Sequence, residues 1–364
     1  MNSSLQFIVA RNELKTCKIF ETPLPSLAQL PEDGLLVKVD GFAFTANNIT
    51  YAILGDQLKY WDLFPAPDGF GIIPVWGFGK VVESRHPDIA KGEMLFGYFP
   101  MATHLVIEAS NLKRNGFSDG AAHRQHVSPV YNVYSRVTGD PSYAGREGDY
   151  QALLRPLFML SFLVDDFLAE NDFFGAKSVI LSSASSKTAF GLAWLVHSLR
   201  KPIRVIGLTS AGNVEFVKSL GCYNNIVSYG DIGRMDASGP VAFVDMAGNG
   251  DISMRLHNHY GDMMKYSGRI GLTHQDVAPD GGSLPGAKPT WFFAPDQIRK
   301  RSKEWGPGGL DQRFGAVFSR FTAEIGPKLK VTTGHGPDAV QRIYLDTLNG
   351  RVKPDDAHML SMAE

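Results

Sequence analysis

Between residues 176 and 209 the apolar positions change period twice. Ala176-Lys-Ser-Val-Ile-Leu-Ser-Ser183 is an apolar, β-branched run. It breaks into Ala184-Ser-Ser-Lys-Thr-Ala189, continues as Phe190-Gly-Leu-Ala-Trp-Leu-Val-His197, and resumes after Leu199-Arg-Lys-Pro202 as Ile203-Arg-Val-Ile-Gly-Leu-Thr209. This order predicts a strand, a helix and a second strand, the βαβ pattern. The small residues from Ser182 to Thr188 would form the strand-to-helix turn. A helix N-terminus there offers unpaired N–H groups and a favourable dipole to a phosphate, so a dinucleotide pyrophosphate would sit at this turn.

The rest of the chain falls on either side of that unit. Residues 1–112 read as β-rich, with strands at 34–44, 79–84, 92–99 and 102–108 and an aromatic, Gly/Pro-rich loop at 58–76. Residues 113–150 are polar, lack sustained periodicity, and carry His123, Arg124, His126, Tyr131, Tyr134 and Arg136. A stretch of this length without a period reads as a functional loop or as disorder. A helix is predicted at 148–171, then a helix at 213–220 stopped by Gly221, and strands at 225–229, 241–245 and 269–273. Strands alternating with helices make a parallel, doubly wound sheet. Residues 275–309 read as loop apart from a basic helix at 296–304, and a last helix covers 336–350. Two domains follow: a β-rich one over 1–148 with a C-terminal return at 310–364, and an α/β one over 149–309.

Composition narrows the function classes. With 364 residues, 44% hydrophobic and 20% charged, the chain can bury a large core. A net charge of −1 gives no electrostatic pull toward nucleic acid or a membrane surface. No apolar run nears the roughly 20 residues of a membrane span; the longest, 153–168, is broken by Arg155, Pro156, Asp165 and Asp166. The N-terminus lacks the basic-then-apolar pattern of a signal peptide. Two cysteines, Cys17 and Cys222, make neither a disulfide framework nor a thiolate-rich zinc site. The expectation is a cytoplasmic protein acting on a small molecule.

Several segments, taken in order, carry a family likeness. Glu83-Ser-Arg-His-Pro-Asp-Ile-Ala-Lys-Gly-Glu-Met-Leu-Phe-Gly97, Phe216-Val-Lys-Ser-Leu-Gly-Cys222, Val244-Asp-Met-Ala-Gly248, Ser267-Gly-Arg-Ile-Gly-Leu272 and Leu348-Asn-Gly-Arg-Val-Lys-Pro354 resemble segments of the medium-chain dehydrogenase/reductase superfamily, zinc-free quinone-reductase-like branch. The likeness spans most of the chain except 113–150 and 275–309. It implies an α/β fold: a Rossmann-type doubly wound parallel sheet plus a β-rich GroES-like domain. It also implies a nicotinamide cofactor and, where the family assembles, a homodimer.

Departures from the family shape the cofactor reading. Its glycine-rich turn is here Ala184-Ser-Ser-Lys-Thr-Ala189, with no glycine before Gly191. Serine hydroxyls and backbone N–H groups still donate to phosphate, which makes Ser183, Ser185, Ser186, Lys187 and Thr188 the candidate pyrophosphate site. Ser-Ser-Lys-Thr also echoes the end of a Walker A loop, but that motif requires its glycines and is set aside. Where NAD enzymes place a carboxylate for the ribose 2′-OH, this chain has Thr209 and Ser210, with Asn213 and Lys218 beyond and Arg204 in the strand. Hydroxyls with a nearby cation suit a 2′-phosphate, hence NADPH. Ala247, after the fourth strand, completes the cofactor set. Zinc is not expected. A catalytic zinc needs three protein ligands, and the family's ligand positions fall on Thr45-Ala-Asn-Asn48 and near Pro74-Val-Trp-Gly77. His257 and His259 are too close in sequence to share a helix face.

Hydride transfer asks the protein to hold the nicotinamide against an acceptor in a dry cleft, which in this family lies between the domains, with a donor to polarise a carbonyl. Asn48 and Tyr51 fall in the segment that faces the nicotinamide in zinc-free relatives, and are the catalytic candidates. Tyr98, Tyr131 and Arg155 are candidates for substrate contact, with His104 a lesser one. The leading expectation is an NADPH-dependent, zinc-free reductase of an activated carbonyl or conjugated alkene. Two alternatives stay open: a non-redox lyase or isomerase holding NADP tightly, and a cofactor-free binding protein on the same fold.

Overall fold

A computed structural model describes residues 3–270 and 284–364. The chain forms two compact units, Met1–Leu153 with Lys330–Glu364, and Leu154–Leu329.

In the first unit the hairpin Ser3–Ala10/Glu13–Pro23 joins Phe70–Gly71 in a small sheet. A larger sheet runs in the order Lys330–His335, Asp356–Ser361, Gly34–Phe44, Pro74–Ser84, Met94–Pro100, Val133–Arg136, Gly116–Asp119, His104–Lys113. The last of these pairs back onto Gly34–Phe44 and closes the sheet on itself. Closure removes exposed edges and forces the inward side chains into one core, built here from Val37, Phe42, Val75, Leu95, Phe99 and Tyr134.

Two adjacent strands achieve this with an unusual alternation. Trp76-Gly-Phe-Gly79 lies antiparallel to Phe96-Gly-Tyr98, pairing Trp76 with Tyr98 and Phe78 with Phe96. The glycines face the core, where a side chain would not fit. A Cβ at Gly77 would lie 2.4 Å from the Gly41 carbonyl oxygen, and one at Gly97 would lie 2.5 Å from the Tyr134 ring. Period-2 geometry therefore puts all four aromatics on the opposite face, as one continuous stripe.

Residues 113–150 are ordered, contrary to the reading of a periodless segment as loop or disorder. They supply two four-residue strands of the closed sheet, three 3-10 turns and the start of the helix Gly145–Leu153. Strands this short show no period. The segment is held by a charge instead. Arg124, fully buried, donates from Nη1 to Asp119 Oδ2 at 2.7 Å and to the Tyr134 hydroxyl at 2.8 Å, and from Nη2 to the Tyr131 carbonyl at 3.2 Å. Asp119 Oδ1 accepts from the amides of Ala121 and Glu108.

The second unit contains a six-stranded, all-parallel sheet. Its strands are, in chain order, Ser178–Leu181, Arg204–Thr209, Asn225–Ser228, Val241–Asp245, Met264–Arg269 and Thr290–Trp291. Spatially they lie third-second-first-fourth-fifth-sixth, the order of dinucleotide-binding doubly wound sheets. The predicted fifth strand at 269–273 is displaced: the observed one ends at Arg269, and Gly271 to Thr273 lie outside the described residues, as do 275–283 of the predicted loop. The helix predicted at 148–171 is two helices, Gly145–Leu153 and Arg155–Glu170. Pro156, which cannot donate a helical hydrogen bond, sits in the first turn of the second, where none is needed. The boundary between the units falls at this break. The second unit also keeps the helix Gly309–Ile325, within the span read as the C-terminal return. Phe314, Phe318 and Phe321 of this helix lie against Phe158, the last with stacked rings 4.2 Å apart.

Two stability predictions follow from these buried polar contacts. Asp119→Ala leaves the Arg124 guanidinium charged in the core and is expected to cost about 3–5 kcal/mol, read from urea unfolding midpoints. His257 is fully buried, its ring nitrogens meeting the Pro285 carbonyl at 2.8 Å and the Ser267 hydroxyl at 3.0 Å. Burial holds its pKa below the usual histidine value. The unfolded chain therefore takes up a proton first, and stability present above about pH 6.5 declines as pH falls below it. Thermal unfolding of wild type from pH 7.5 to 5.5 should show this loss, and His257→Asn should lack that component.

Candidate functional site

Each unit gathers a cluster of polar side chains. In the second, the first strand ends at Leu181 and the helix Lys187–Leu199 begins after a turn of small residues. Ser186 caps the helix, its hydroxyl accepting from the Ala189 amide at 3.3 Å. The turn lacks glycine yet adopts a glycine-like conformation at Ser183, with φ of 48°. A left-handed backbone costs a non-glycine residue about 1–2 kcal/mol, so its neighbours must hold it. The Ser183 amide donates to the Tyr229 hydroxyl at 2.9 Å, and its carbonyl accepts from the Ser186 amide at 2.7 Å. The Tyr223 hydroxyl donates to the Ala184 carbonyl at 2.8 Å, and Asn213 Nδ2 to the Ser185 hydroxyl at 3.1 Å.

Beneath the turn lies a buried knot. The Ser182 hydroxyl donates to Asp245 Oδ1 at 2.7 Å, and its oxygen accepts from the amides of Met246 and Ala247. Asp245 Oδ1 also accepts from the amides of Ala247 and Gly248. Burial raises the Asp245 carboxyl pKa, and the Ser182 and backbone hydrogen bonds pull against that rise. First and fourth strands are neighbours at the point where the strand order reverses, so the knot marks the crevice in which such sheets bind ligands.

In the first unit, the helix Ala46–Ile53 and the loop at 129–131 bring tyrosines onto the aromatic stripe. Tyr51, Tyr60, Tyr98 and Tyr131 lie with ring centroids 4.8–6.5 Å apart, and Trp76 lies 4.8 Å from Tyr98. The Tyr60 hydroxyl donates to that of Tyr131 at 3.1 Å. The Tyr51 hydroxyl has Tyr98, Trp76 and Asn47 as side-chain hydrogen-bond partners. Burial, and secondarily Tyr131, push it far above the ordinary tyrosine pKa, so it keeps its proton at any physiological pH.

A family described as "Protein of unknown function (DUF2855)" matches residues 42–353. The chain belongs to this family. No curated protein matches the sequence. Solved structures share its architecture from end to end. CurA from Vibrio vulnificus is 12% identical over 99% of each chain, with a TM-score of 0.63, and its complex with NADPH gives 0.62. The yhdH oxidoreductase from Salmonella enterica in complex with NADP is 13% identical over 98% of this chain and 99% of that one, at 0.54. The quinone oxidoreductase from Coxiella burnetii is 12% identical over 99% of each chain, at 0.55. At such identities the fold is what is shared. It is the fold of the medium-chain reductases, with a Rossmann-type sheet and a β-rich GroES-like unit, as the resemblance implied.

The expected site residues of this DUF2855 chain divide between the clusters. Ser183, Ser185, Ser186, Lys187 and Thr188 form the turn and helix start, all half-buried and so reachable. Ala247 joins the knot below through its amide. Thr209 is buried at the end of the second strand, Ser210 is exposed beside it, and Asn213 reaches back to Ser185. Lys218 is exposed and paired with Glu215 at 2.8 Å. Arg204 opens the second strand, and by strand rise it sits about 16 Å from Thr209, at the edge away from the turn. The cation invoked from within that strand is therefore not near the ribose end. Tyr51, Tyr98 and Tyr131 come together. Asn48 joins them in sequence but is committed locally: its Oδ1 accepts from the Thr45 amide at 2.8 Å, and its Nδ2 donates to the Pro74 carbonyl at 3.0 Å. Arg155 belongs to the other unit and stacks over Phe314 at 4.8 Å. His104 is half-buried, its Nδ1 within 3.1 Å of the Thr103 hydroxyl.

Sequence reasoning missed Ser182 and Asp245 as partners and Tyr223 and Tyr229 beside the turn, and took Tyr60 and Trp76 only as ends of an aromatic stretch suited to an apolar substrate. The alternation of glycine with aromatics at 76–79 and 96–98 was the available signal for Trp76. Among the described residues no group of three or more His, Cys, Asp or Glu could hold a metal ion, and no helix is long and apolar enough to cross a membrane. Ser182→Ala removes an acceptor shared by two buried amides. It is expected to cost about 1–3 kcal/mol, measurable as a lowered unfolding midpoint, with Ser182→Thr milder.

Proposed function

We propose that this protein is an NADPH-dependent reductase of an activated carbonyl or a conjugated alkene. The observation that carries the reading is the turn at 182–188: a capped helix N-terminus at the strand-order reversal of a 3-2-1-4-5-6 sheet. A dinucleotide fits what is present. The first turn of a thirteen-residue helix presents N–H groups to a pyrophosphate, and half-buried hydroxyls and Lys187 surround it. Among the described residues, Thr209 and Ser210 rather than a carboxylate stand at the end of the second strand, where a ribose 2′-OH would be met. Ser210, Ala211 and Gly212 are exposed there, leaving room for a 2′-phosphate.

Bound NADPH supplies a hydride, and the tyrosine cluster supplies polarisation. Tyr51 keeps its proton and so acts as a neutral hydrogen-bond donor toward an acceptor oxygen on which negative charge develops. The Tyr60–Tyr131 hydroxyl pair and the ring contacts hold Tyr51 in place. Arg124 holds Tyr131 by its carbonyl. Neutral aromatic walls exclude water from the acceptor and suit an apolar, conjugated substrate. CurA and the Salmonella oxidoreductase were crystallised with NADPH and NADP, which supports the cofactor assignment by fold.

Titration with NADPH and NADH, followed by nicotinamide fluorescence and by thermal shift, tests this. NADPH is expected to bind at least about tenfold more tightly, a difference of about 1.4 kcal/mol. Ser210→Asp should reverse the preference by placing a carboxylate at the ribose. Binding of neither nucleotide by folded protein would end the reductase reading.

A further inference from the structure

We propose that a cavity at the Phe78 end of the aromatic stripe binds a small alkylammonium ion, with Asp140 as its counter-charge and Phe78 and Tyr143 as its walls. The site lies within the first unit and does not depend on the reductase reading. The cavity measures about 270 Å³, and its lining includes Phe78, Met94, Val137, Asp140, Pro141 and Tyr143. Pockets for drug-sized ligands begin at roughly 300 Å³, so this one suits a smaller head group. The surrounding chain fixes its shape. The Val137 amide donates to the Met94 carbonyl at 2.9 Å, and the Met94 amide donates to the Thr138 hydroxyl at 2.7 Å. Gly148 lets its helix approach Tyr143 closely, since a Cβ there would lie 2.6 Å from the Tyr143 carbonyl oxygen. The Phe78 and Tyr143 rings meet at 80° with centroids 6.3 Å apart. Phe96 packs against both, at 5.3 and 5.4 Å.

The chemistry of the lining restricts what it can hold. Asp140 Oδ1 accepts from the Ser142 amide at 2.9 Å and from the Ser142 hydroxyl at 2.7 Å, which fixes the carboxylate in place. Among the described residues no lysine, arginine or histidine pairs with it. The nearby Arg136 is committed to Glu93, through Nε at 2.7 Å and Nη2 at 2.8 Å. A carboxylate without a counter-ion repels an anion, and a neutral hydrocarbon would leave it unused. A bare metal ion asks for several oxygen ligands and gains nothing from aromatic walls. An alkylammonium ion uses every part of the lining. Its charge meets Asp140, its methyl groups lie against the rings in cation–π contact, and the Met94 thioether adds a polarisable surface.

Ligand-observed NMR titration with choline and with its uncharged analogue 3,3-dimethylbutanol, both without nucleotide, tests the site independently of NADPH binding. Wild type is expected to bind choline at least about fivefold more tightly than the alcohol. Asp140→Asn keeps an oxygen for Ser142 and removes the charge, and should abolish that preference. Phe78→Leu keeps apolar bulk and removes a ring. It should weaken choline at least about threefold and leave the alcohol nearly unchanged. Thermal melts followed by circular dichroism show whether each variant is folded, and Asp140→Asn decides alone if Phe78→Leu is not. Equal binding of the two ligands by wild type, or binding of neither, would overturn the assignment. So would an undiminished preference in Asp140→Asn, or undiminished choline binding by folded Phe78→Leu.

Discussion

Where two neighbouring parallel strands hand their chains to opposite faces of a sheet, backbone N–H groups are left without a ladder partner. In this protein that demand is met by one hydroxyl and one carboxylate oxygen. Ser182 and Asp245, 63 residues apart, share a hydrogen bond of 2.7 Å and between them accept from the amides of Met246, Ala247 and Gly248. The two loops leaving the crevice are thereby fixed to each other. Everything above depends on it: the left-handed Ser183, the capped helix and the hydroxyl-lined turn all start from a backbone that this knot positions. A buried carboxylate is costly alone, and here three donors to one oxygen offset the cost.

Glycine-rich turns in nucleotide-binding sheets combine conformational freedom with close approach of the backbone. This chain separates those requirements. The unusual dihedral is kept at Ser183 and is stabilised from outside, by Tyr229 on its amide and Tyr223 on the next carbonyl. The rim that results is built from hydroxyls and amides. A phosphate would then meet side-chain donors as well as backbone ones, and the Tyr229 hydroxyl already occupies the Ser183 amide. In the other unit, glycine does the opposite work. Gly77 and Gly97 give up side chains toward the core so that Phe42 and Tyr134 can fill it, and the strands' remaining residues are free to be aromatic on the other face.

Much of this architecture was legible in the sequence, and the limits are physical. The βαβ unit showed because period and composition change together at Ser182. The strand at 241–245 and the helix stop at Gly221 were readable for the same local reasons. Residues 113–150 were not, since four-residue strands carry no period and the segment's order comes from the buried Arg124–Asp119 pair. The site was half legible. Small hydroxyl residues at 182–188 mark the strand-to-helix turn, and Tyr51 falls in the segment that faces the nicotinamide in zinc-free relatives. Asn48 looked equivalent to Tyr51 in sequence, but a capping box and a carbonyl 26 residues away use its amide. Pairings over such separations, and over the 63 residues from Ser182 to Asp245, leave no trace in a single chain's pattern.

Arg204 and Lys218 show how charge misleads when geometry is absent. Both lie near Thr209 in sequence, yet one opens the strand that Thr209 closes, and the other is paired with Glu215 on an exposed helix. If the chain binds NADPH as proposed, preference for a 2′-phosphate would come from what does not stand at the end of the second strand. An exposed run of serine, alanine and glycine imposes no repulsion on a dianion and no reward on a free hydroxyl, while a carboxylate there would do both. Discrimination built on the absence of a repulsive group is weaker than discrimination built on a paired cation. On the proposed reading the binding energy would therefore come chiefly from the turn at 182–188, which returns the weight of cofactor recognition to the helix start at Ser186 and to the knot that holds it.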